Sequence, residues 1–256
     1  MNIDRATAIR QILFAQGHLS ISRIAEAVGA SEPTVRRDLT ELEMSGAITR
    51  THGGARIADA SASEIEFENR EQINLVAKRA IGGAAYARLR PGSAVFLDAG
   101  TTTLQLARLI RLRPLPLRIF TNCLPVAQLL MPAPGLTITL LGGTLRKANA
   151  SMVGALAEAA LAELWFDQLF LGVSAVAPDL SIYSADEQEA RINRLMLLRT
   201  AEPVILTDSS KFGQRFTHRV VPIAGTMQII TDCRLSVDWQ RQLAEAGAAL
   251  TLVEQP

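Results

Sequence analysis

From Gly92 onward, short apolar segments alternate with amphipathic segments of helical length, and this alternation constrains the fold more than any other feature of the sequence. The pattern predicts strands at seven apolar segments, 94–97, 117–120, 136–141, 168–173, 204–207, 227–230 and 249–253. It predicts helices at five amphipathic segments, 102–111, 124–131, 153–164, 186–202 and 236–246. Apolar strands separated by helices indicate an α/β fold around a mostly parallel sheet.

Polar residues and glycines follow the predicted strands, at the edge where a parallel sheet binds its ligands. They are Asp98, Gly100, Thr101 and Thr102 after the first strand, Asn122 after the second, Gly142, Gly143 and Arg146 after the third, and Lys211 after the fifth. Taken alone, a Gly-Thr-Thr loop is more often a plain helix cap, and a Gly-Gly pair is more often a turn. Because glycines, hydroxyls and free helix-start amides occur together here, the pattern predicts a site for a small molecule that carries a phosphate.

The N-terminal part of the chain carries a different pattern, centred on a short amphipathic helix at 31–42. Val35, Leu39 and Leu42 recur at the spacing of one buried stripe. On a helical wheel Arg37 points away from that stripe, and Arg36 lies on its flank. The helix therefore presents two adjacent arginines to its surroundings.

The segments around this helix complete a known supersecondary pattern. Two further helices, at 5–16 and from Ser20, precede a turn at Gly29-Ala30. Two short strands, 47–50 and 54–57, follow the arginine-bearing helix. Three helices with a glycine turn before the last, followed by a hairpin, predict a winged helix-turn-helix domain.

A winged helix-turn-helix domain lays one helix in a DNA groove and lets the wing touch the backbone. The residues that we expect to contact DNA are Ser31, Pro33, Thr34, Arg36, Arg37, Arg50, His52 and Arg56. The net charge of this domain gives little support for DNA binding, since residues 1–57 hold seven Arg and no Lys against six Asp or Glu. The alternative is that the paired arginines are ordinary surface charges that bind Asp38 or Glu41.

A short segment of small and polar residues, 58–63, separates the two patterns. This composition is typical of a flexible connector. A charged stretch then leads into a helix that runs to about Leu89. We therefore predict an N-terminal domain at 1–57, a linker at 58–66 and a second domain at 67–256.

Composition limits the kinds of protein that this chain can be. Its 256 residues, 48% of them hydrophobic, suffice for one small domain and one larger one. The N-terminus lacks the apolar core of a signal peptide, and no apolar run is long enough to span a bilayer. Cys123 and Cys233 are too few for a disulfide framework, and no Cys/His spacing resembles a metal site. We predict a reduced, soluble, cytoplasmic protein without a metal or a cofactor.

Residues 19–55 resemble the DeoR-type family of bacterial transcriptional regulators. That family has Thr-(Val/Ile)-Arg-Arg-Asp-Leu and then Arg-x-His-Gly-Gly-Ala, and this chain carries both motifs at 34–39 and 50–55. The resemblance continues to about Cys233 through further motifs, Asp98-x-Gly100-Thr101-Thr102, Thr121-Asn122, Gly142-Gly143, Glu189-Ala190 and Asp208-x-Ser210-Lys211-Phe212-Gly213.

The resemblance implies that the second domain is related to ribose-5-phosphate isomerase-like folds and senses phosphorylated sugars. It implies that the phosphate or the sugar hydroxyls are held by Gly100, Thr101, Thr102 and Asn122. Lys211 would be a cationic contact, and Asp98 and Glu189 would lie near the sugar. The chain departs from the family at Ala175, where a glycine with positive φ is expected, and at Asn193, where a lysine is common.

Together these features predict a dimeric or tetrameric repressor of a carbohydrate-catabolism operon that a phosphorylated sugar releases from its operator. No residue is predicted to be catalytic. One alternative is a sugar-phosphate isomerase-like enzyme with a DNA-binding extension, in which Asp98, Glu189 and Lys211 supply a base and a cation. Another is an architectural DNA-binding protein with a vestigial pocket.

Overall fold

The computed structural model describes residues 3–45, 47–51, 53–57, 67 and 69–254. The chain forms two compact units, Met1–Asn69 and Arg70–Pro256. The predicted linker at 58–66 lies outside the described residues, so the predicted domain boundaries remain predictions.

The first unit has the predicted three helices and wing. Its helices are α1 (Ile3–Gln16), α2 (Ile21–Val28) and α3 (Glu32–Met44), and its strands are β1 (Leu19–Ser20), β2 (Ile48–Thr51) and β3 (Gly54–Ile57). The strands form an antiparallel sheet in the order β1-β3-β2. The stripe of Val35, Leu39 and Leu42 is buried in one core with Ile9 and Leu13, which confirms its predicted orientation.

Local residue chemistry explains where α2 begins and ends. Ser20 caps the helix by accepting a hydrogen bond from the amide of Arg23 at 3.3 Å. Gly29 ends it in the left-handed conformation, with φ of 62°, which glycine adopts without steric cost. The chain can therefore turn sharply into α3.

The second unit alternates strands and helices. In chain order its strands are β4 (Ala94–Leu97), β5 (Leu117–Thr121), β6 (Leu136–Leu140), β7 (Thr144–Arg146), β8 (Ser151–Val153), β9 (Phe166–Gly172), β10 (Ala175–Val176), β11 (Ser181–Ser184), β12 (Thr200–Leu206), β13 (His218–Pro222), β14 (Gln228–Asp232) and β15 (Ala249–Val253). Its helices are α4 (Leu75–Tyr86), α5 (Thr101–Leu112), α6 (Leu124–Leu130), α7 (Ala155–Ala162), α8 (Glu187–Leu198), α9 (Val237–Glu245) and the short 3-10 helix Ser209–Lys211.

A seven-stranded parallel sheet in the order β15-β14-β12-β9-β4-β5-β6 forms the core of this unit. The predicted α/β fold with a mostly parallel sheet is confirmed. After β4 the chain adds β5 and β6 on one side and returns through β9 to the other side. The carboxyl ends of β4 and β9 therefore form the topological switch point, which is where open sheets of this type bind ligands.

One predicted helix was too long. Residues 200–202 were assigned to the helix at 186–202, but α8 ends at Leu198 and β12 begins at Thr200. Thr200 pairs with Phe166 in the parallel ladder between β12 and β9. This tertiary pairing overrides the local helical pattern.

Two smaller antiparallel sheets were not predicted, because several of their strands are only two to four residues long. They are β10-β11-β13 and β7-β8. The expectation of a positive φ at Ala175 was wrong, since Ala175 lies in β10 and is absent from the non-glycine residues with positive φ, Asn74, Ala150 and Leu180. Within the described ranges, no helix combines the length and the apolar character needed to cross a membrane.

Candidate DNA-binding surface and effector site

The two arginines of α3 occupy the positions that the helical wheel predicts. The side chain of Arg37 is 81% exposed and that of Arg36 is 55% exposed. Arg37 lies 3.6 Å from Glu41, and Arg36 lies 3.4 Å from Glu32. Exposed pairs at this spacing contribute only about 0.3–0.5 kcal/mol, so both arginines can exchange these partners for DNA.

Asp38, between these arginines and Leu39, has a structural role that sequence reasoning missed. Its buried carboxylate accepts two hydrogen bonds from Arg5 of α1, at 2.5 and 3.1 Å. The bridge joins α3 to α1 across the core. Asp38 is thus not the surface partner of the neighbouring arginines that the alternative interpretation considered.

The first turn of α3 and the wing complete this surface. Ser31 and Pro33 are exposed, and the hydroxyl of Ser31 lies 2.9 Å from that of half-buried Thr34. Arg56 is exposed on β3. Arg50 connects the wing to α3, because its guanidinium donates to the Thr40 hydroxyl at 3.4 Å and its amide to Glu43 at 3.3 Å. The predicted contact His52 lies outside the described residues.

The wing packs closely on β1, the short strand before α2. A Cβ atom on Gly54 would lie 2.2 Å from the carbonyl oxygen of Leu19, so only glycine fits there. Next to it, Nε2 of His18 lies 2.6 Å from the hydroxyl of Thr51. His18 was not singled out from the sequence, because β1, the strand that follows it, was not predicted either.

In the second unit, Asp98 lies at the switch point, directly after β4. It is 5% exposed, and its carboxylate accepts hydrogen bonds from the amides of Ala99 and Gly172. Burial and, to a smaller extent, the nearby Glu189 carboxylate raise the pKa of Asp98 to about 7, although the two amides and Arg146 oppose the shift. Near neutral pH this carboxyl group can therefore donate or accept a hydrogen bond.

Arg146 and Glu189, whose charges shift the pKa of Asp98, come from separate elements, β7 and α8. Nε of Arg146 lies 3.2 Å from Oδ2 of Asp186, and its Nη2 lies 3.8 Å from Oε2 of Glu189. The hydroxyl of Ser184 donates to the same Glu189 oxygen at 2.7 Å. Arg146 comes from the β7-β8 hairpin, which was not predicted. Its guanidinium neutralises part of the negative charge of the cluster formed by Asp98, Asp186 and Glu189.

The start of α5 provides hydrogen-bonding groups beside Asp98. Gly100 precedes this helix, whose first amides have no partner within the helix, starting with Thr101 and Thr102. The buried hydroxyl oxygen of Thr103 and the buried Oδ1 of Asn122 have no hydrogen-bond partner among the described residues. Unsatisfied buried polar atoms are rare in native proteins and call for an explanation. A bound ligand with hydroxyl groups would supply one.

The loop after β6 and helix α8 carry the remaining positions that the sequence singled out near the carboxyl edge of the sheet. Gly143, with φ of 145°, leaves no room for a side chain, because a Cβ atom would lie 2.7 Å from the Val153 carbonyl oxygen. Gly142 beside it is exposed. On α8, Asn193 lies one turn after Glu189, and its buried Oδ1 also lacks a partner among the described residues. The sequence comparison with the family identified this position, but not its unpartnered atom.

Lys211 belongs to a second polar cluster at the carboxyl edge of the sheet. Half-buried Lys211 follows Asp208, whose carboxylate accepts a hydrogen bond from Asn74 at 2.9 Å. Lys78 is buried beside them and donates to the carbonyl of Arg70. Burial lowers the pKa of Lys78 to about 8, with Asp208 opposing and Lys211 assisting the shift.

Sequence reasoning missed both Lys78 and Asn74. The available signal was a lysine within the buried stripe of α4, three and seven residues before Ile81 and Ala85. A charged residue in an apolar stripe indicates either a buried charged side chain with a partner or a functional site.

Two family models match the chain. Residues 5–61 match the DeoR-like helix-turn-helix domain, and residues 73–233 match the DeoR C terminal sensor domain. The chain belongs to the DeoR family. It is therefore a DNA-binding transcriptional regulator whose second unit is a sensor domain.

Curated relatives resemble this DeoR-family regulator over nearly its whole length. The putative aga operon transcriptional repressor of Escherichia coli O157:H7 is 35% identical over 98% of this chain and 93% of its own length. The HTH-type transcriptional regulator GlpR of Haloferax volcanii is 33% identical over 96% of each chain. The lactose phosphotransferase system repressor of Streptococcus mutans is 31% identical over 90% of this chain and 92% of its own length.

Among solved structures, ribose 5-phosphate isomerase A from Methanocaldococcus jannaschii is similar with a TM-score of 0.38 and 18% sequence identity, over 53% of each chain. A similarity at this level does not bear on the activity of the DeoR-family regulator.

Proposed function

We propose that this regulator represses a carbohydrate-catabolism operon and leaves its operator when a phosphorylated sugar binds the second unit. The observation that carries the proposal is a pair of unsatisfied buried polar atoms at the carboxyl edge of the sheet, the Thr103 hydroxyl on the first turn of α5 and Oδ1 of Asn122 directly after β5. The relatives named as repressors of the aga operon and of the lactose phosphotransferase system support the carbohydrate assignment.

The charges of the site suggest how such a ligand would be oriented. A phosphate is favoured at the start of α5, where Gly100, Thr101 and Thr102 offer free amides and hydroxyls. Sugar hydroxyls are favoured next to Asp98 and Glu189, because carboxylates accept hydrogen bonds from hydroxyls and repel a phosphate. Arg146 limits the negative charge on that side.

Three further predicted contacts are retained in this proposal. Gly142 and Gly143 would let the backbone approach the ligand closely, and Lys211 would supply a cation from the neighbouring cluster. Near Lys211, the buried Lys78 adds a second ammonium group. The two lysines favour an anionic ligand.

On the DNA side, Arg36 and Arg37 would contact bases or phosphates from α3. Ser31, Pro33 and Thr34 would lie at its first turn, and Arg50, His52 and Arg56 would contact the backbone from the wing. A single such helix covers one half-site, so the proposed form is a dimer or a tetramer. The proposed place of action is the cytoplasm. The effector would favour a conformation in which the paired helices no longer match their half-sites.

An isomerase is the second candidate, and the pKa of Asp98 near 7 favours it, since a general base works best near the ambient pH. We favour sensing without catalysis because the full-length relatives are named as regulators. Interconversion of aldose and ketose phosphates followed by NMR separates the two. Turnover that Glu189→Ala abolishes would support the enzyme instead.

The test of the proposed function is fluorescence anisotropy on DNA from the region upstream of the chain's own gene, with a panel of sugar phosphates and the matching free sugars. We expect one sugar phosphate to weaken specific binding while its free sugar does not. Specific binding that no compound shifts would contradict the effector class and leave DNA binding intact. Absence of specific binding would contradict the choice of operator.

A further inference from the structure

Strand β6 forms one outer edge of the main sheet, and no strand within the described residues pairs with its free side. The amide of Leu141, directly after β6, donates to the carbonyl of Thr121 on β5 at 2.8 Å. Successive residues of a strand direct their backbone groups to opposite sides. The N–H and C=O groups of Thr137 and Thr139 therefore point towards β5, like those of Leu141. Leu136, Ile138 and Leu140 therefore direct their N–H and C=O groups outward.

The sequence of β6, Leu-Thr-Ile-Thr-Leu, is the same in both directions. If a second copy paired with it in antiparallel fashion about Ile138, Leu136 would face the partner's Leu140, and Thr137 would face the partner's Thr139. The three residues with outward backbone groups would then form hydrogen-bonded pairs with the same three residues of the copy. Such a two-fold arrangement requires a self-complementary surface, which β6 provides.

The edge also lacks the features that keep natural edge strands apart, which are charged residues, proline and bulges. Residues 119–145 contain no charged side chain, although 20% of the whole chain is charged. Within this segment Met131 is 76% exposed and Leu145 is 47% exposed. The exposed residues of β6 itself, Thr137 and Thr139, are uncharged, and depletion of charged residues is typical of the centre of a protein interface.

We propose that two copies of this chain associate through antiparallel pairing of their β6 strands, with the two-fold axis at Ile138, to form one continuous fourteen-stranded sheet. An uncharged strand suits pairing with a second copy of itself, because a charged strand paired in this way readily places like charges opposite each other. The proposal provides the paired subunits that the proposed function requires, but it does not depend on the identity of the effector.

The arrangement makes a specific prediction for position pairs. Thr137 and Thr139 are exposed and form the non-hydrogen-bonded pairs, in which opposite Cα atoms lie about 4.5 Å apart and side chains approach closely. Thr137→Lys with Thr139→Lys would set like charges opposite each other twice per dimer. Thr137→Lys with Thr139→Glu would set opposite charges against each other at the same two places.

The test is sedimentation velocity of the full chain over a range of concentrations, with circular dichroism to confirm folding. We expect the double-lysine variant to raise the dimer dissociation constant by at least about tenfold, and the lysine–glutamate variant to restore association. Leu252→Lys on β15, at the opposite edge of the sheet, is the matched control and should associate like the wild type.

Three results would overturn the proposal: a monomeric wild type, a folded double-lysine variant with wild-type association, or dissociation by Leu252→Lys and not by the double-lysine variant. Failure of the lysine–glutamate variant to recover association would also contradict the register. Operator binding and the effector response are measured separately on the same variants, so failure of this interface is distinguishable from failure of the proposed function.

Discussion

Gly100 and Gly172 face each other across the carboxyl ends of β4 and β9, so that a Cβ atom on either would lie 3.2 Å from the Cα atom of the other. This approach brings the start of α5 next to the amide of Gly172, which donates to Asp98. The proposed phosphate-binding groups and the buried carboxyl group are thereby held in one small region.

Gly172→Ala tests this approach. The added methyl group must displace the backbone of Gly100, and we expect a loss of stability of about 1–3 kcal/mol. Operator binding should persist while the response to the sugar phosphate weakens, measured by anisotropy. Gly83→Ala is the control, because nothing lies within 4 Å of its added Cβ; an equal loss of response in that variant would contradict the explanation.

Thr103→Val separates stability from sensing. The variant removes a buried hydroxyl that has no partner among the described residues, so thermal denaturation without ligand should show a gain of about 1 kcal/mol. The same variant should lose affinity for the effector. Thr121→Val should instead lose stability, since the Thr121 hydroxyl donates to the carbonyl of Leu97 at 2.6 Å. A stabilised Thr103→Val protein with unchanged effector affinity would rule out a ligand contact.

Asp98 predicts a pH dependence of stability. Its pKa rises from 3.8 to about 7 in the folded protein, so between these values the folded state holds a proton that the unfolded state releases. The contribution of this shifted pKa to the free energy of unfolding is fully present below pH 3.8. It is lost as the pH rises towards 7, at up to about 1.4 kcal/mol per pH unit. Urea denaturation at pH 5, 6 and 7 should show the wild type losing stability relative to Asp98→Asn. A constant difference between the two proteins would contradict this assignment.

Arg37→Ala tests the DNA-binding surface. If Arg37 contacts a base, specific binding should weaken by about 1–3 kcal/mol, and preference at that base should relax. If it contacts a phosphate, the slope of affinity against salt should fall by about one instead. Arg241→Ala removes a comparably exposed arginine from the second unit and should change neither quantity. Unchanged binding and an unchanged salt slope in Arg37→Ala would exclude both roles.

Asn74 combines a left-handed backbone, with φ of 55°, with hydrogen bonds to Asp208 at 2.9 Å and Ser210 at 3.2 Å. Asn74→Gly loses only the hydrogen bonds, whereas Asn74→Ala also places a Cβ-bearing residue without a local hydrogen bond in this conformation. We expect stability to fall in the order Asn, Gly, Ala, with about 1 kcal/mol between the last two. Chemical denaturation measures this order, and alanine at least as stable as glycine would contradict it.

The sequence predicted what depends on apolar burial. The predicted strands at 94–97 and 249–253 coincide with β4 and β15, because their apolar residues pack in a sheet that helices cover. It did not predict that Thr200 extends β12, since that depends on pairing with Phe166, far away in the sequence. The β7-β8 hairpin that carries Arg146 was equally out of reach, because strands of three residues leave no periodic signal.

The position of β4 in the middle of the sheet also affects how the chain folds during synthesis. Val95 pairs with Ile119 on one side and with Gln168 on the other, so the sheet cannot close around β4 until the ribosome has made β9. The N-terminal unit has no such requirement, because its core uses residues from Ala6 to Ala55. We expect it to fold first, as a nascent DNA-binding domain whose sensor is still unfinished.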